Sequence, residues 1–227
     1  MATAVRKKNW FAIWITIGVV VVLAAVGGTV VWMNSLATGP GTTPQAANIN
    51  TDTGAIAIGD GSESMDTYVD FMCPVCGQFE SVYGQSIQGL VDDGTITLNV
   101  HPISILDRQS QGTQFSTRAA SAMYCVAEND PSAALPFLQA MFAGQPSEGS
   151  TGLTDDEIAA VAEQAGATNS ASCIADGTYR KYVASMTPKT PVAPGSQGIG
   201  TPTIAINGET IANSSLPQPD QLATLFQ

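Results

Sequence analysis

Between Trp10 and Met33 the chain runs for 24 residues, WFAIWITIGVVVVLAAVGGTVVWM, without one charged side chain. In hydrocarbon every backbone N–H and C=O must be satisfied within the segment, so such a stretch has one open fold, the helix. At 1.5 Å per residue it spans about 36 Å, enough for a hydrocarbon core of about 30 Å. Trp10 and Trp32 sit near its ends, where indole rings favour the interface, and Arg6, Lys7 and Lys8 precede it. The positive-inside rule then expects residues 1–9 in the cytoplasm, 10–33 as a single-pass anchor in the cell membrane, and the rest of the chain outside the cytoplasm. A cleaved signal peptide is the rival expectation; its apolar core runs for about 7–15 residues, shorter than the stretch here.

Residues 34–54, NSLATGPGTTPQAANINTDTG, are rich in Gly, Pro, Thr, Asn and Ala. They carry no face to bury and are expected to form a flexible linker. Beyond residue 33, five Lys and Arg stand against 19 Asp and Glu. A phosphate-backbone binder needs a basic stripe, so nucleic acid is not an expected partner.

The four cysteines, Cys73, Cys76, Cys125 and Cys173, all follow the apolar run. On the expected topology they meet an oxidising compartment, where disulfides persist. Four cysteines allow three pairings. Cys73 and Cys76 are adjacent in sequence, which leaves Cys125 and Cys173 over. A structural zinc site usually takes two close pairs of ligands, and neither Cys125 nor Cys173 has a close partner, so no metal is expected. A disulfide between Cys73 and Cys76 closes so small a loop that it adds little stability. Such a bond is better suited to being broken than to holding a fold.

The flanking residues say why it would break. In MDTYVDF (65–71), Thr67, Val69 and Phe71 alternate with Asp66, Tyr68 and Asp70, the period of a strand. After the cysteines, apolar residues at 79, 82, 83, 87, 90 and 91 follow a helical period, Pro74 suits the first helical turn, and Gly94 is a stop. Cys73 is therefore expected at a helix N-terminus, where unpaired N–H groups and the positive end of the helix dipole favour a thiolate. Cys76, one turn further in, is expected to be more buried. A reduced form so stabilised would make the disulfide form an oxidant, and because Val75 offers no polar donor to the thiolate, a milder one is expected than a Pro-His version of the pair.

Residues 95–106 have a second strand pattern, and 113–187 a long helical tract in which Thr154 and Glu157 have capping-box spacing. Met72, Met123 and Met141 fall at core-like positions, and His101 is expected to be structural. In GIGTPTIAINGETIA (198–212), Ile204 and Ile206 alternate and Asn207-Gly208 is a hairpin turn. Thr201-Pro202 precedes that strand; X-Pro bonds are the ones often found cis, and a cis bond would free the Thr201 backbone for an extended substrate.

YVDFMCPVCGQFE, ILDRQSQGTQFSTRAASA and GIGTPTIAING, in that order, resemble the membrane-anchored, exported DsbA-like branch of the thioredoxin superfamily. The resemblance implies an α/β thioredoxin-like fold in two parts, 55–106 and 189–227, with a helical insertion at 107–188. It implies that Cys73 is the nucleophile, Cys76 its partner and Thr201-Pro202 a cis-proline loop, with a structural disulfide at Cys125–Cys173. Pro74, Val75 and Asp70 would modulate the thiol. No cofactor is implied, and the expected partners of a monomer are reduced exported polypeptides and a reoxidising partner. Disulfide reduction or isomerisation on the same scaffold is the alternative, with a cysteine-based metal carrier behind it. Thr67 stands six residues before Cys73, where thioredoxins keep a buried carboxylate; Asp70 is either its substitute or a solvated strand-end group.

Overall fold

The computed structural model describes residues 10–38 and 41–226; the expected cytoplasmic segment 1–9, with Arg6, Lys7 and Lys8, lies outside the described residues, as does the side chain of Trp32. Two compact units result, one ending at Gly39 and one starting at Pro40. The first is helix α1, Trp10–Thr38. Its span Ile13–Val30 is long and apolar enough to cross a membrane, and Trp14, Val20 and Leu23 are exposed on it. An apolar helix none of whose described side chains is buried suits lipid. The Thr29 hydroxyl donates back to the Ala25 carbonyl at 2.7 Å, which leaves it no unsatisfied donor. The helix passes the expected end at Met33, because Asn34–Thr38 contain no glycine or proline.

The second unit is built on a six-stranded mixed sheet in the order β1-β2-β4-β3-β5-β6. Its strands are β1 Ile49–Asn50, β2 Ala55–Ile58, β3 Glu63–Val69, β4 Ile96–Pro102, β5 Thr203–Ile206 and β6 Glu209–Ile211. β3 and β4 are parallel, because helix α2 (Pro74–Asp92) crosses between them; the other pairings are antiparallel. α2 buries Phe79, Ile87 and Leu90, and its outer neighbour is the C-terminal 3-10 segment Pro219–Phe226 with Leu222 and Phe226 inward.

Between β4 and β5 lie α3 Phe115–Asn129, α4 Ala134–Ala143, α5 Asp155–Gln164, α6 Ala171–Asp176 and α7 Arg180–Met186. α3 is buried along most of its length and forms the centre of this tract. The Cys125–Cys173 disulfide ties α3 to α6, and Tyr124 and Tyr182 meet edge to face at 5.0 Å. Thr154 and Glu157 form the full capping box of α5, and Met72, Met123 and Met141 are core residues. This is a thioredoxin-like α/β fold.

Two expectations are corrected. The 34–54 linker is not a free tether throughout. Ile49 is buried and pairs with Ile56, the Gln45 N–H donates to Glu128 Oε1 at 2.7 Å, and Asn48 Nδ2 donates to the Ala127 carbonyl at 3.1 Å. A polar segment can fasten itself through its amides without an apolar face. The solvated alternative for Asp70 also fails, since the carboxyl is fully buried. β3 stops at Val69, so the backbone turns before Asp70 instead of carrying it outward.

Candidate active site

The site forms where β3 ends. Tyr68 pairs with Thr203 across the β3–β5 ladder, so the residues just before β5 lie beside those just after β3. After Val69 the chain turns on Asp70. Its Oδ1 accepts the Met72 N–H at 2.9 Å, its Oδ2 accepts the Leu106 N–H at 2.9 Å, and its carbonyl accepts the Cys73 N–H at 2.9 Å. Cys73 is the N-cap of α2, with extended backbone at φ −75°, ψ 114°, and Pro74 opens the helix. The Cys73 carbonyl accepts from the N–H groups of Cys76 at 3.0 Å and Gly77 at 3.2 Å, which are otherwise orphans of the first turn.

Cys73 and Cys76 are both free thiols. Cys73 keeps 6 % of its surface exposed and Cys76 keeps none. Cys73 Sγ lies 3.5 Å from the Thr201 carbonyl oxygen, and the Thr201-Pro202 peptide is cis. A carbonyl can accept from the thiol but cannot serve a thiolate. The Thr201 hydroxyl can; it is buried, is left without a hydrogen-bond partner among the described residues, and so is available to favour the anion at both sulfurs.

These contacts split the pair. The Cys76 thiol donating to Cys73, then the Thr201 hydroxyl and the N–H groups of Cys76 and Val75, outweigh burial and hold the Cys73 thiol down at about 5. The turn's amides are thus helpers, and the largest single aid is the neighbouring thiol. Burial first, then the hydrogen bond given to Cys73 and the Cys73 charge, push Cys76 well above the usual thiol range. Burial raises Asp70 to about 6, against the lowering effect of the Ser116 hydroxyl and the Met72 and Leu106 N–H groups, and the Cys73 charge adds to the rise. Val75 is 53 % exposed and contributes only its backbone N–H to the thiolate.

Beside the thiols is a shallow cavity of about 220 Å³, lined among others by Val75, Phe79, Val82, Tyr83, Pro202 and Leu216. His101 belongs elsewhere on the sheet. It is buried, 2.8 Å from Asp66 Oδ1 and 3.3 Å from the Thr53 carbonyl, and stacked on Tyr68 at 3.9 Å. Among the described residues no group of three or more His, Cys, Asp or Glu is placed to hold a metal.

Two residues, one at the site and one further along α2, carried no sequence motif. Gln145, just beyond α4, donates from Nε2 to the Phe71 carbonyl at 3.0 Å and to the Cys73 carbonyl at 2.9 Å. Glu80, two turns into α2, is raised by burial to about 7. Gly77 was the one available pointer to Gln145, since a side chain there would occupy the space of the Gln145 amide.

The thioredoxin family model matches residues 51–224. The chain belongs to the thioredoxin family. Among solved thioredoxin-fold structures, the reduced disulfide bond oxidoreductase DsbG of Mycobacterium tuberculosis is 28 % identical with a TM-score of 0.60, covering 83 % of this chain and 87 % of that one. Reduced DsbA of the same organism is also 28 % identical at 0.60, covering 82 % and 91 %. MdbA, a thiol-disulfide oxidoreductase from Actinomyces oris, shares the fold at 24 % identity and 0.63, covering 82 % and 92 %. The serine/threonine-protein kinase PknE of Mycobacterium tuberculosis (strain ATCC 25618 / H37Rv) is 38 % identical over 119 residues, which is 50 % of this chain and 21 % of the kinase. The chain thus spans about a fifth of the length of the curated relatives it matches. Its DsbA-type structural neighbours are thiol-disulfide oxidoreductases, and its N-terminal helix fits a single-pass membrane anchor.

Proposed function

We propose that this chain is a thiol-disulfide oxidoreductase, an oxidant that donates a Cys73–Cys76 disulfide to reduced polypeptides outside the cytoplasm. The observation that carries the assignment is the split between the two thiols, one held at about 5 and the other well above the usual range. A thiolate stabilised in the dithiol form makes the disulfide form the stronger oxidant. It also makes Cys73 the better leaving group.

In the oxidised protein, a substrate thiolate attacks Cys73 Sγ. The Cys73–Cys76 bond breaks, its electron pair goes to Cys76 Sγ, and that sulfur takes up a proton because it titrates high. A second substrate thiolate attacks the substrate sulfur of the mixed disulfide, and Cys73 leaves as the thiolate. The substrate loses two electrons and gains a disulfide; the protein is left as the dithiol and needs a reoxidising partner. Thr201-Pro202 and the apolar cavity beside Val75 are the surface on which an extended, unfolded segment would lie. Asp70 would modulate the pair through its backbone N–H to Cys76 and its charge near Cys73. The N-terminal anchor, with residues 1–9 on the cytoplasmic side, would hold this site at the outer membrane surface.

The test is oxidative refolding of a reduced, multi-disulfide protein by the oxidised chain. Stoichiometric disulfide transfer, lost in Cys73→Ser, is expected. Transfer that persists in Cys73→Ser, or reduction of insulin disulfides outpacing oxidation under the same redox buffer, would contradict the oxidant assignment.

A further inference from the structure

We propose that Gln145 is a positioning residue for the Cys73 thiol, by which the helical insertion between β4 and β5 sets the geometry of the active-site turn. The proposal deepens the oxidant assignment and rests on it.

The Gln145 amide spends both of its N–H groups on one turn, one on the Phe71 carbonyl and one on the Cys73 carbonyl. The Phe71–Met72 peptide is then held at both ends, its carbonyl by Gln145 and its N–H by Asp70 Oδ1 at 2.9 Å. The Cys73 carbonyl is also the atom from which α2 starts, because Cys76 and Gly77 donate to it. One side chain from beyond α4 therefore fixes where the first turn of α2 lies. That turn carries the Val75 and Cys76 N–H groups and the Cys76 thiol, the donors that favour the Cys73 anion. Donors on the Cys73 carbonyl also draw off the negative end of the dipole nearest to its own sulfur.

Gly77 supports the same conclusion from the other side. It lies within helix α2 and is not among the glycines with positive φ, so its backbone does not require glycine. A Cβ there would run into Gln145 Oε1. Glycine in a helix interior is otherwise less favourable than alanine. The missing side chain makes room for the amide.

The test is a double-mutant cycle on the full chain, read as the pH dependence of thiolate absorbance in the dithiol form, with circular dichroism to confirm folding. Gln145→Ala is expected to raise the Cys73 pKa by about half a unit or more, a threefold loss in the ionisation constant. Gly77→Ala, which improves helix propensity, is expected to raise it as well by displacing the amide. In the double variant the Cβ has nothing left to displace, so its pKa should match that of Gln145→Ala alone. Single variants that titrate like the parent, or two shifts that simply add, would overturn the proposal. If Gln145→Ala does not fold, Gly77→Ala alone decides: an unchanged titration overturns the proposal and a raised one supports it. Failure of the oxidant assignment looks different, since the parent itself would then titrate as an ordinary thiol.

Discussion

Cys73 Sγ lies 3.5 Å from the carbonyl oxygen of Thr201, a residue 128 positions further along the chain. The parallel β3–β4 pair, the crossover α2 and the antiparallel β3–β5 register bring them together. The hydroxyl of the same threonine is buried, has no hydrogen-bond partner among the described residues, and is available as a donor to a Cys73 thiolate.

Thr201→Val keeps the shape of the side chain and removes that donor. The Cys73 pKa should rise by about one unit, the size expected for one hydrogen bond to a charged group. The reduction potential should fall by about 30 mV in step. Titration of thiolate absorbance checks the first and equilibration with glutathione the second; a pKa that stays at the parent value would remove Thr201 from the set of stabilising donors.

Val75→His tests the central position of the motif. Val75 is exposed and apolar, so the thiolate receives no side-chain help from it. A histidine there adds a donor and, when protonated, a charge close to the sulfur. The Cys73 pKa should drop below its present value of about 5 and the protein should become more oxidising. A raised pKa in the folded variant would contradict this.

The pair was legible from sequence because its determinants are local. A period-2 strand, a proline at the first helical position and a threonine-proline before a second strand place Cys73, Cys76, Thr201 and Pro202 without knowledge of the packing. Asp70 was legible as a residue but not as a buried one, since its environment depends on β3 stopping one residue short of it and on Leu106, which is remote in sequence. Gln145 and Glu80 depend on how α4 lies against α2, which no single-element pattern reports. The anchored part of the 34–54 stretch reads as a tether because a two-residue strand is too short to show a period and its other anchors are amide hydrogen bonds.

Glu80 gives the dithiol protein a pH dependence of its own. Burial raises it from the usual carboxylate value to about 7, so its folded pKa lies above its unfolded one. Its contribution to stability is complete below about pH 4 and is lost as the pH rises through 7. Glu80→Gln should therefore be close to neutral at pH 4.5 and stabilising by about 1–2 kcal/mol at pH 8, after allowance for the water that still reaches the group. Urea unfolding at the two pH values checks it; equal effects at both would show that Glu80 is not held in a costly position.

The reduction potential of the Cys73–Cys76 couple tests the central claim most directly. With the Cys73 thiol at about 5, between a strong oxidant near 3.5 and thioredoxin near 7, equilibration against glutathione should place it between about −120 and about −270 mV, clearly above the thioredoxin value. A potential at or below about −270 mV would make the protein a reductase and contradict the account.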